Sequence, residues 1–257
     1  MTDVKNHILQ RDENGVRFIV LNRPEKANAL TAEMLADIRR AVEDAPSTGI
    51  HALVLRSASR TLFSAGGDIG EFSAGPEHLE NQGNQLRALM ASMARCPISI
   101  IGVARGRAAG AGAILLSMTD IVIAAEDLEF SFPELAFNMY PFIVQVALET
   151  KISAACAKQL CFSGGPLGAS GALQLGLVTE VLEANCFEDL AAKRLAYYLS
   201  KRDALEMARK GRLLTEPPEN IMHKIELLES LMHENFARPG VQDTIKSYLG
   251  KLGNKGA

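Results

Sequence analysis

The chain has 257 residues, of which 47% are hydrophobic and 22% are charged, and its formal net charge at pH 7 is −3. These values are typical of a globular protein with one large domain, and they exclude a disordered or collagen-like chain. A slightly acidic chain has no general attraction for nucleic acid, so none is expected as a partner.

The first residues and the cysteine spacing predict the cellular location. Residues 1–15 are polar and lack the apolar core of a signal peptide. The apolar runs are shorter than the ~20 residues that span a bilayer. Cys96, Cys156, Cys161 and Cys186 form no CxxC pair and no Cys/His cluster with zinc spacing, which predicts free, buried thiols. We therefore expect a cytoplasmic protein with no membrane partner and no metal site.

Short apolar runs alternate with helical patterns along the first half of the chain. Strands are predicted at residues 16–21, 51–56, 98–104 and 119–126, and helices at 31–43, 79–94 and 110–118. Thr31 is predicted to cap the first of these helices. Because the strands are almost entirely apolar and alternate with helices, the sequence predicts an α/β fold with buried strands.

The second half of the chain is predicted to be mainly helical. Helices are expected at residues 145–162 and 169–175, a strand at 177–182, and only helices from residue 187 onward. Residues 219–235 form an amphipathic pattern with one apolar stripe, which comprises Ile221, Ile225, Leu228, Leu231 and Met232. This stripe is predicted to pack either on the core of its own chain or on another subunit.

Two loops made of small residues follow two of the predicted strands. One reads FSAGGDIGEF from Phe63, and the other reads RAAGAGAILL from Arg107. Small residues let a ligand contact the backbone, and the first N–H groups of a helix have no intrahelical partner. Two such N–H groups aimed at one point would stabilise an oxygen that gains negative charge. Close packing of helix on strand selects the same small residues and is the alternative, whereas a P-loop is excluded and a dinucleotide motif is matched only weakly.

These loops resemble the two oxyanion loops of the crotonase (enoyl-CoA hydratase/isomerase) superfamily. Three further segments are similar to family segments in the same order: LNRPEKANAL from Leu21, FSFPEL from Phe130 and SGGPLGASGALQLGLVTEV from Ser163. The resemblance implies an α/β fold in which a spiral of ββα units spans residues 1–195. It also implies that residues 196–257 form a helical region that builds homotrimers or hexamers.

The resemblance further implies an acyl-CoA thioester as substrate, with coenzyme A as part of that substrate and no separate cofactor. The two backbone N–H donors of the oxyanion hole would belong to Ala65 and Ala111. Residues implied to contact the substrate are Arg23, Lys26, Ala27, Gly66, Gly67, Asp68, Ile69, Gly110, Ile114 and Tyr140. Arg23 and Lys26 would lie near the adenine and ribose phosphate, and solvated surface charge is the alternative for both.

Glu134, which follows Pro133, stands where the resemblance implies the proton-transferring base. Its phenylalanine neighbours would desolvate the carboxyl and raise its pKa toward neutrality. The hydratases of the family use a second glutamate, three residues after the second oxyanion donor, and that position is Ile114 here. One base without a partner resembles the Δ3,Δ2-enoyl-CoA isomerases. The alternatives are an enoyl-CoA hydratase with a different water-activating group, and a catalytically weak protein that binds thioesters of coenzyme A or of acyl-carrier protein.

The segment after Glu134 departs from the family pattern. A glycine-rich PGxGG stretch is usual there, whereas this chain reads YPFIVQVA from Tyr140. The bulk of Phe142, Ile143 and Val144 is predicted to narrow the acyl pocket or to change which acyl groups fit. Tyr140 itself is predicted to be either a packed aromatic residue or a phenol near the site.

Overall fold

Two β-sheets form the frame of the structure, a computed structural model that describes residues 6–73 and 76–253. The strands are β1 Ile8–Glu13, β2 Val16–Leu21, β3 Ala52–Ser57, β4 Leu62–Ser64, β5 Ser99–Ala104, β6 Arg107–Ala109, β7 Ile121–Ala125, β8 Glu129–Ser131, β9 Leu167–Gly168 and β10 Glu180–Leu182. The larger sheet has six strands in the order β1-β2-β3-β5-β7-β10, and the smaller sheet has four in the order β4-β6-β8-β9. β1 and β2 form an antiparallel hairpin, and the remaining pairs of the larger sheet are parallel.

The helices follow pairs of strands. They are α1 Ala32–Asp44, α2 Ile69–Ser73, α3 Pro76–Arg95, α4 Ala111–Ser117, α5 Phe142–Leu148, α6 Ala154–Ser163, α7 Ala169–Leu175, α8 Phe187–Leu199, α9 Arg202–Thr215, α10 Pro218–Ala237 and α11 Pro239–Gly253. The pairs β3 and β4, β5 and β6, and β7 and β8 each place the first strand in the larger sheet and the second in the smaller one. A helical segment follows each pair, so the predicted α/β fold of ββα units followed by C-terminal helices is confirmed.

The strands predicted from apolar runs correspond to β2, β3, β5 and β7. Their residues are buried because the strands lie inside the larger sheet, and this burial on both faces explains the nearly continuous apolar sequence. α1 begins as predicted after Thr31, whose hydroxyl accepts a hydrogen bond from Met34 N at 3.2 Å. The sequence does not predict β1 or the short strands β4, β6, β8 and β9.

Two other predictions are corrected. The single helix expected over residues 145–162 is two helices, α5 and α6. Thr150 donates to Ala147 O at 2.7 Å at the end of α5, and Ser153 accepts from Cys156 N at 3.2 Å to begin α6. The expectation of four buried thiols is also wrong, because Cys186 is exposed and Cys156 is half-buried.

The C-terminal helices pack back on the rest of the chain. Ile225 of α10 is 2% exposed in the main core, and Ile221, Leu228 and Met232 pack against that core. The predicted apolar stripe therefore packs mostly on its own chain, whereas Leu231 remains 46% exposed. The predicted domain boundary after residue 195 lies within α8, and this division stays a prediction.

Arg209 links α9 to the end of α3 through hydrogen bonds. Its side chain is buried and donates to Met93 O at 2.6 Å, Ala94 O at 3.1 Å and Cys96 O at 2.7 Å. It also pairs with Asp120 at 2.8 Å. The last carbonyl groups of α3 lack intrahelical partners, so this guanidinium satisfies them. In the part of the chain that the structure describes, no helix is both long and apolar enough to cross a membrane.

Candidate active site

A cavity of about 520 Å³ lies between the loop after β4, the start of α4 and the C-terminal helices. The predicted site residues that line it are Ala65, Gly66, Gly67, Ile69, Gly110, Ala111, Ile114, Glu134 and Tyr140. Arg23, Lys26, Ala27 and Asp68 do not line the cavity. The structure therefore brings both small-residue loops and the predicted base together, and it leaves the segment around residue 23 behind the first loop.

The first loop is held by hydrogen bonds from most of its N–H groups. Ala65 N donates to Ala27 O at 2.9 Å, and Gly66 N donates to Ser64 Oγ at 3.1 Å. Asp68 N donates to Leu30 O at 2.9 Å. Among the residues that the structure describes, no acceptor pairs with Gly67 N.

This arrangement corrects the assignment of the first oxyanion donor. The prediction that Ala65 supplies it is wrong, because the Ala65 N–H already donates to a backbone carbonyl. Gly67 also lines the cavity, and among residues 65–68 its N–H is the one without an acceptor in the described part of the chain. Between Ala65 and Asp68, the free N–H therefore belongs to Gly67.

The second loop ends at the first turn of α4. Gly110 N donates to Ser131 O at 3.0 Å, and Ile114 N donates to Gly110 O at 3.0 Å. Ala111 is the first residue of α4, so its N–H has no intrahelical partner, and no other described group accepts from it. The Ala111 N–H therefore remains available at the cavity wall, and its role as an oxyanion donor stays a prediction.

Close packing of the two loops explains two of the small residues. Gly66 has φ +99°, and a Cβ placed on it would lie 2.9 Å from Ala109 O. A Cβ on Gly112 would lie 2.8 Å from Ser64 Cβ. These two glycines are required because the two loops pass very close to each other, and this contact brings the Gly67 and Ala111 backbones to one cavity.

Glu134 lies over the start of α4. It belongs to a 3-10 helix, Pro133–Phe137, and a Cβ placed on Gly110 would lie 3.2 Å from Glu134 Oε1. Glu134 Oε2 is buried and has no hydrogen-bond partner among the described residues. Burial raises the pKa of Glu134 from 4.5 to about 7, because the ionised carboxylate loses its hydration. Near neutral pH this carboxyl can both accept and return a proton.

Comparison with known proteins decides the family. A model described as "Enoyl-CoA hydratase/isomerase" matches residues 11–255. The chain belongs to this family. Over 193 residues it is 30% identical to enoyl-CoA hydratase domain-containing protein 3, mitochondrial, of Danio rerio, a match that covers 73% of this chain and 65% of that protein. Over 215 residues it is 31% identical to enoyl-CoA delta isomerase 2 of Rattus norvegicus, which covers 79% of this chain and 54% of that protein.

The chain thus spans less than two thirds of the length of these two curated relatives. Its fold is similar to the crystal structure of an enoyl-CoA hydratase from Bacillus halodurans, with a TM-score of 0.83 and 20% identity. That match covers 94% of this chain and 100% of the other. The enoyl-CoA hydratase/isomerase family predicted from the sequence motifs is confirmed.

In this member of the enoyl-CoA hydratase/isomerase family, Ile114 lies in the cavity wall, one turn of α4 after Ala111. Its side chain is 3% exposed and lines the cavity. An aliphatic side chain neither takes up nor releases a proton. Of the described residues that line the cavity, the other carboxylate besides Glu134 is Glu80, which is exposed on α3.

Tyr140 is both a packed aromatic residue and a cavity wall. Its ring lies 4.9 Å from the Phe142 ring and 5.1 Å from the Phe162 ring, measured between centroids. Its hydroxyl donates to Gln145 Oε1 at 2.6 Å, and Gln145 Nε2 donates to Glu149 Oε1 at 2.7 Å. Burial raises the pKa of Tyr140, so the group remains a neutral phenol.

The cations predicted to meet the coenzyme A phosphates have different surroundings. The Arg23 guanidinium forms an ion pair with Asp68 and donates to Ala29 O at 3.0 Å. Lys26 is exposed at the end of a 3-10 helix, Pro24–Lys26. Arg23 is therefore already engaged within the protein, whereas Lys26 faces solvent.

Several cavity residues from distant helices were not predicted. Leu86 and Arg87 come from α3, Met232 from α10 and Ile245 from α11. Arg87 also pairs with Glu229 of α10 at 3.2 Å. The amphipathic stripe of residues 219–235 includes Met232, but it left open whether the stripe packs on its own chain or on another subunit. No sequence signal shows that three distant helices meet over one cavity.

Proposed function

We propose that this protein isomerises 3-enoyl-CoA thioesters to 2-enoyl-CoA thioesters. The observation that carries the proposal is the solitary buried carboxyl of Glu134, which faces the start of α4 while Ile114 occupies the position of a second carboxyl. Coenzyme A is part of the substrate, and the reaction requires no separate cofactor. The name of the Rattus norvegicus relative, enoyl-CoA delta isomerase 2, supports this reaction class.

The proposed reaction is a proton transfer between two carbons of one substrate. The Glu134 carboxylate takes a proton from the α-carbon, and the electron pair of that C–H bond moves into the thioester as a dienolate. The dienolate oxygen accepts hydrogen bonds from Gly67 N and Ala111 N. Protonated Glu134 then gives the same proton to the γ-carbon, so the double bond moves next to the thioester and the carboxylate is restored.

The proposed reaction needs oxyanion donors and a proton-transferring base, and groups of both kinds line the cavity. A backbone N–H aimed at a developing oxyanion is worth ~3 kcal/mol of barrier, because it needs no reorganisation during the reaction. A base with a pKa of about 7 is populated in both protonation states near neutral pH, so it can take and return a proton. The desolvated surroundings that raise this pKa also strengthen both hydrogen bonds to the oxyanion.

A second candidate function is hydration of 2-enoyl-CoA with an atypical water-activating group. Glu80 favours this reading, because it is a second carboxylate among the lining residues. Its exposure on α3 argues against it, because a solvated carboxylate is a weak base in this role. A thioester-binding protein with little activity is the remaining alternative, and turnover tests it directly.

The decisive experiment follows both reactions with the purified protein. 3-Enoyl-CoA substrates with short, medium and long acyl chains are offered, and formation of the conjugated thioester is recorded by its ultraviolet absorbance. Loss of the same absorbance from 2-enoyl-CoA reports hydration. We expect isomerisation to be faster than hydration, and hydration that is faster than isomerisation would refute the proposal.

The Glu134→Gln variant tests the base. It preserves the shape of the side chain and removes its basicity, so isomerisation should disappear while acyl-CoA affinity is retained. Glu129→Gln is the matched control, because Glu129 is an exposed glutamate on β8 outside the cavity lining. Full activity of Glu134→Gln in both reactions would show that the base lies elsewhere.

We also infer a homotrimer or hexamer in the cytoplasm. The exposed apolar side chains Phe162, Met207, Leu214 and Leu227, each more than half exposed, support burial of further surface between subunits. Light scattering at micromolar concentration tests the assembly, and a stable monomer would contradict it. Fractionation of the source cells tests the location, because the curated Danio rerio relative is named as mitochondrial.

A further inference from the structure

Residues 23–30 form a turn directly behind the first small-residue loop. Ala27 and Asn28 both adopt left-handed backbone conformations, with φ +51° and φ +49°. Such values are uncommon for residues other than glycine, and asparagine tolerates them best. Asn28 is also fully buried, so its polar side chain must be satisfied within the protein.

The polar groups of Asn28 form hydrogen bonds that reach the first loop. Its side chain accepts from Arg23 N at 2.7 Å and donates to Ser57 Oγ at 2.7 Å and to Phe63 O at 2.9 Å. Its backbone oxygen accepts from Ser64 Oγ at 2.8 Å. These bonds fix the two residues with which the loop begins.

Ser64 extends this hydrogen-bond network to Gly66. The same Ser64 Oγ accepts from Gly66 N at 3.1 Å, and Gly66 directly precedes Gly67. Ser64 is completely buried. One serine hydroxyl therefore connects the backbone of Asn28 to the residue before Gly67.

The residue after Gly67 is held from the same turn. Asp68 forms its ion pair with Arg23, and both side chains are mostly buried. Leu30 N donates to Gly66 O at 2.7 Å, and Asp68 N donates to Leu30 O at 2.9 Å. Both neighbours of Gly67 are thus fastened to residues 23–30, while the Gly67 N–H itself donates to no group in the described chain.

We propose that Asn28 and Arg23 are positioning residues that act through Ser64 and Asp68 to aim the Gly67 N–H at the thioester oxygen. This inference rests on the proposed function, in which Gly67 N–H is an oxyanion donor. A donor stabilises the oxyanion only when it is held in place before the reaction. The proposal also gives Arg23 a role different from the phosphate contact that the sequence predicts.

Two substitutions break the two connections separately. Ser64→Ala removes the hydroxyl between Asn28 O and Gly66 N, and Arg23→Met removes the ion pair with Asp68. We expect each to lower kcat by on the order of 10- to 100-fold, because a displacement of about 1 Å costs that much in a positioned site. Arg23→Lys keeps a charge for Asp68 and should recover most of the lost kcat.

The matched controls remove similar groups elsewhere. Ser117→Ala deletes a buried serine hydroxyl that donates to Ala113 O at 2.9 Å within α4. Arg40→Met breaks an arginine–aspartate ion pair with Asp37 on the exposed side of α1. Both controls should keep the wild-type kcat, and circular dichroism with a thermal midpoint checks the folding of every variant.

Two readouts separate positioning from a merely structural or binding role. The infrared stretch of a ¹³C-labelled thioester carbonyl in a bound saturated acyl-CoA should fall to lower frequency in the wild type, because the oxyanion donors polarise it. It should return toward its value in free solution in Ser64→Ala and Arg23→Met. Calorimetric Kd values for coenzyme A and for 3′-dephospho-coenzyme A should stay at the wild-type values in both variants.

Each outcome decides the inference. A lowered kcat with a lost carbonyl shift and an unchanged Kd supports it. A wild-type kcat and carbonyl shift in the folded variants would overturn it, and so would a weakened Kd for coenzyme A in Arg23→Met that is absent with the dephospho form. A wild type with neither turnover nor carbonyl shift would instead refute the proposed function itself. If Ser64→Ala does not fold, the Arg23→Met and Arg23→Lys pair gives the same decision.

Discussion

Replacing Glu134 with glutamine should change how the stability of the protein depends on pH. Burial raises the pKa of Glu134 from 4.5 to about 7. Because the folded-state pKa lies above the unfolded-state value, the contribution of this carboxyl to stability is fully present below pH 4.5. That contribution is lost as the pH rises through about 7, because ionisation is less favourable in the folded chain than in the unfolded one.

The size of this effect follows from the two pKa values. Their difference corresponds to ~3 kcal/mol in the free energy of unfolding at pH values above both. Glu134→Gln cannot ionise, so the variant lacks this loss. We expect the variant to gain ~3 kcal/mol on the wild type between about pH 4.5 and about pH 8.5. Because the two proteins are compared at each pH, the titration of the other carboxyls cancels.

Urea unfolding at the two pH values measures this difference directly. The control is Glu129→Gln, which removes an exposed carboxyl on β8 and should leave the difference from wild type the same at both pH values. A Glu134→Gln variant whose difference from wild type does not grow with pH would refute the reasoning. Such a result would mean that the Glu134 carboxyl is solvated in the folded protein.

Four further predictions concern the site and the core. Ala111→Pro removes one N–H at a helix position that tolerates proline, so kcat should fall by on the order of 10²- to 10³-fold, while Ala111→Ser keeps the N–H and should stay active. The wild-type kcat/KM should rise with pH through about 7, because the ionised form of Glu134 is the base. Ile114→Glu should raise hydration relative to isomerisation and lower the free energy of unfolding, because it buries a carboxyl. Arg209→Met should lower the free energy of unfolding by ~3 kcal/mol in urea titrations, because it leaves buried carbonyl groups without donors.

The sequence predicted those parts of the fold in which burial requires a run of apolar side chains. β2, β3, β5 and β7 were found because strands inside the larger sheet are apolar on both faces. The strands β4, β6, β8 and β9 are only two or three residues long. So short a segment shows no periodicity, and its conformation is fixed by pairing with residues far along the chain.

The candidate site was predictable only as far as side chains define it. Glu134 and Ile114 were identified by residue type at motif positions, and both line the cavity. The choice between Ala65 and Gly67 depends on which N–H groups pair with residues 27–30. Backbone pairing of that kind leaves no mark on the residue types of residues 64–67, which are all small, so the resemblance alone favoured the wrong N–H.

The residue type at position 114 also affects the pKa of Glu134, which the proposed reaction needs near neutrality. A second carboxyl at position 114 would share the cavity with Glu134, and two carboxylates in one buried site push their pKa values apart. With an aliphatic side chain there, burial is the main cause that sets the pKa of Glu134, and it sets it at about 7. A base that takes a proton from one carbon and returns it to another within a single turnover needs both protonation states at neutral pH. With an aliphatic side chain at position 114, Glu134 has no second buried carboxyl beside it one turn after Ala111, and its pKa of about 7 suits the proposed transfer of a proton between carbons.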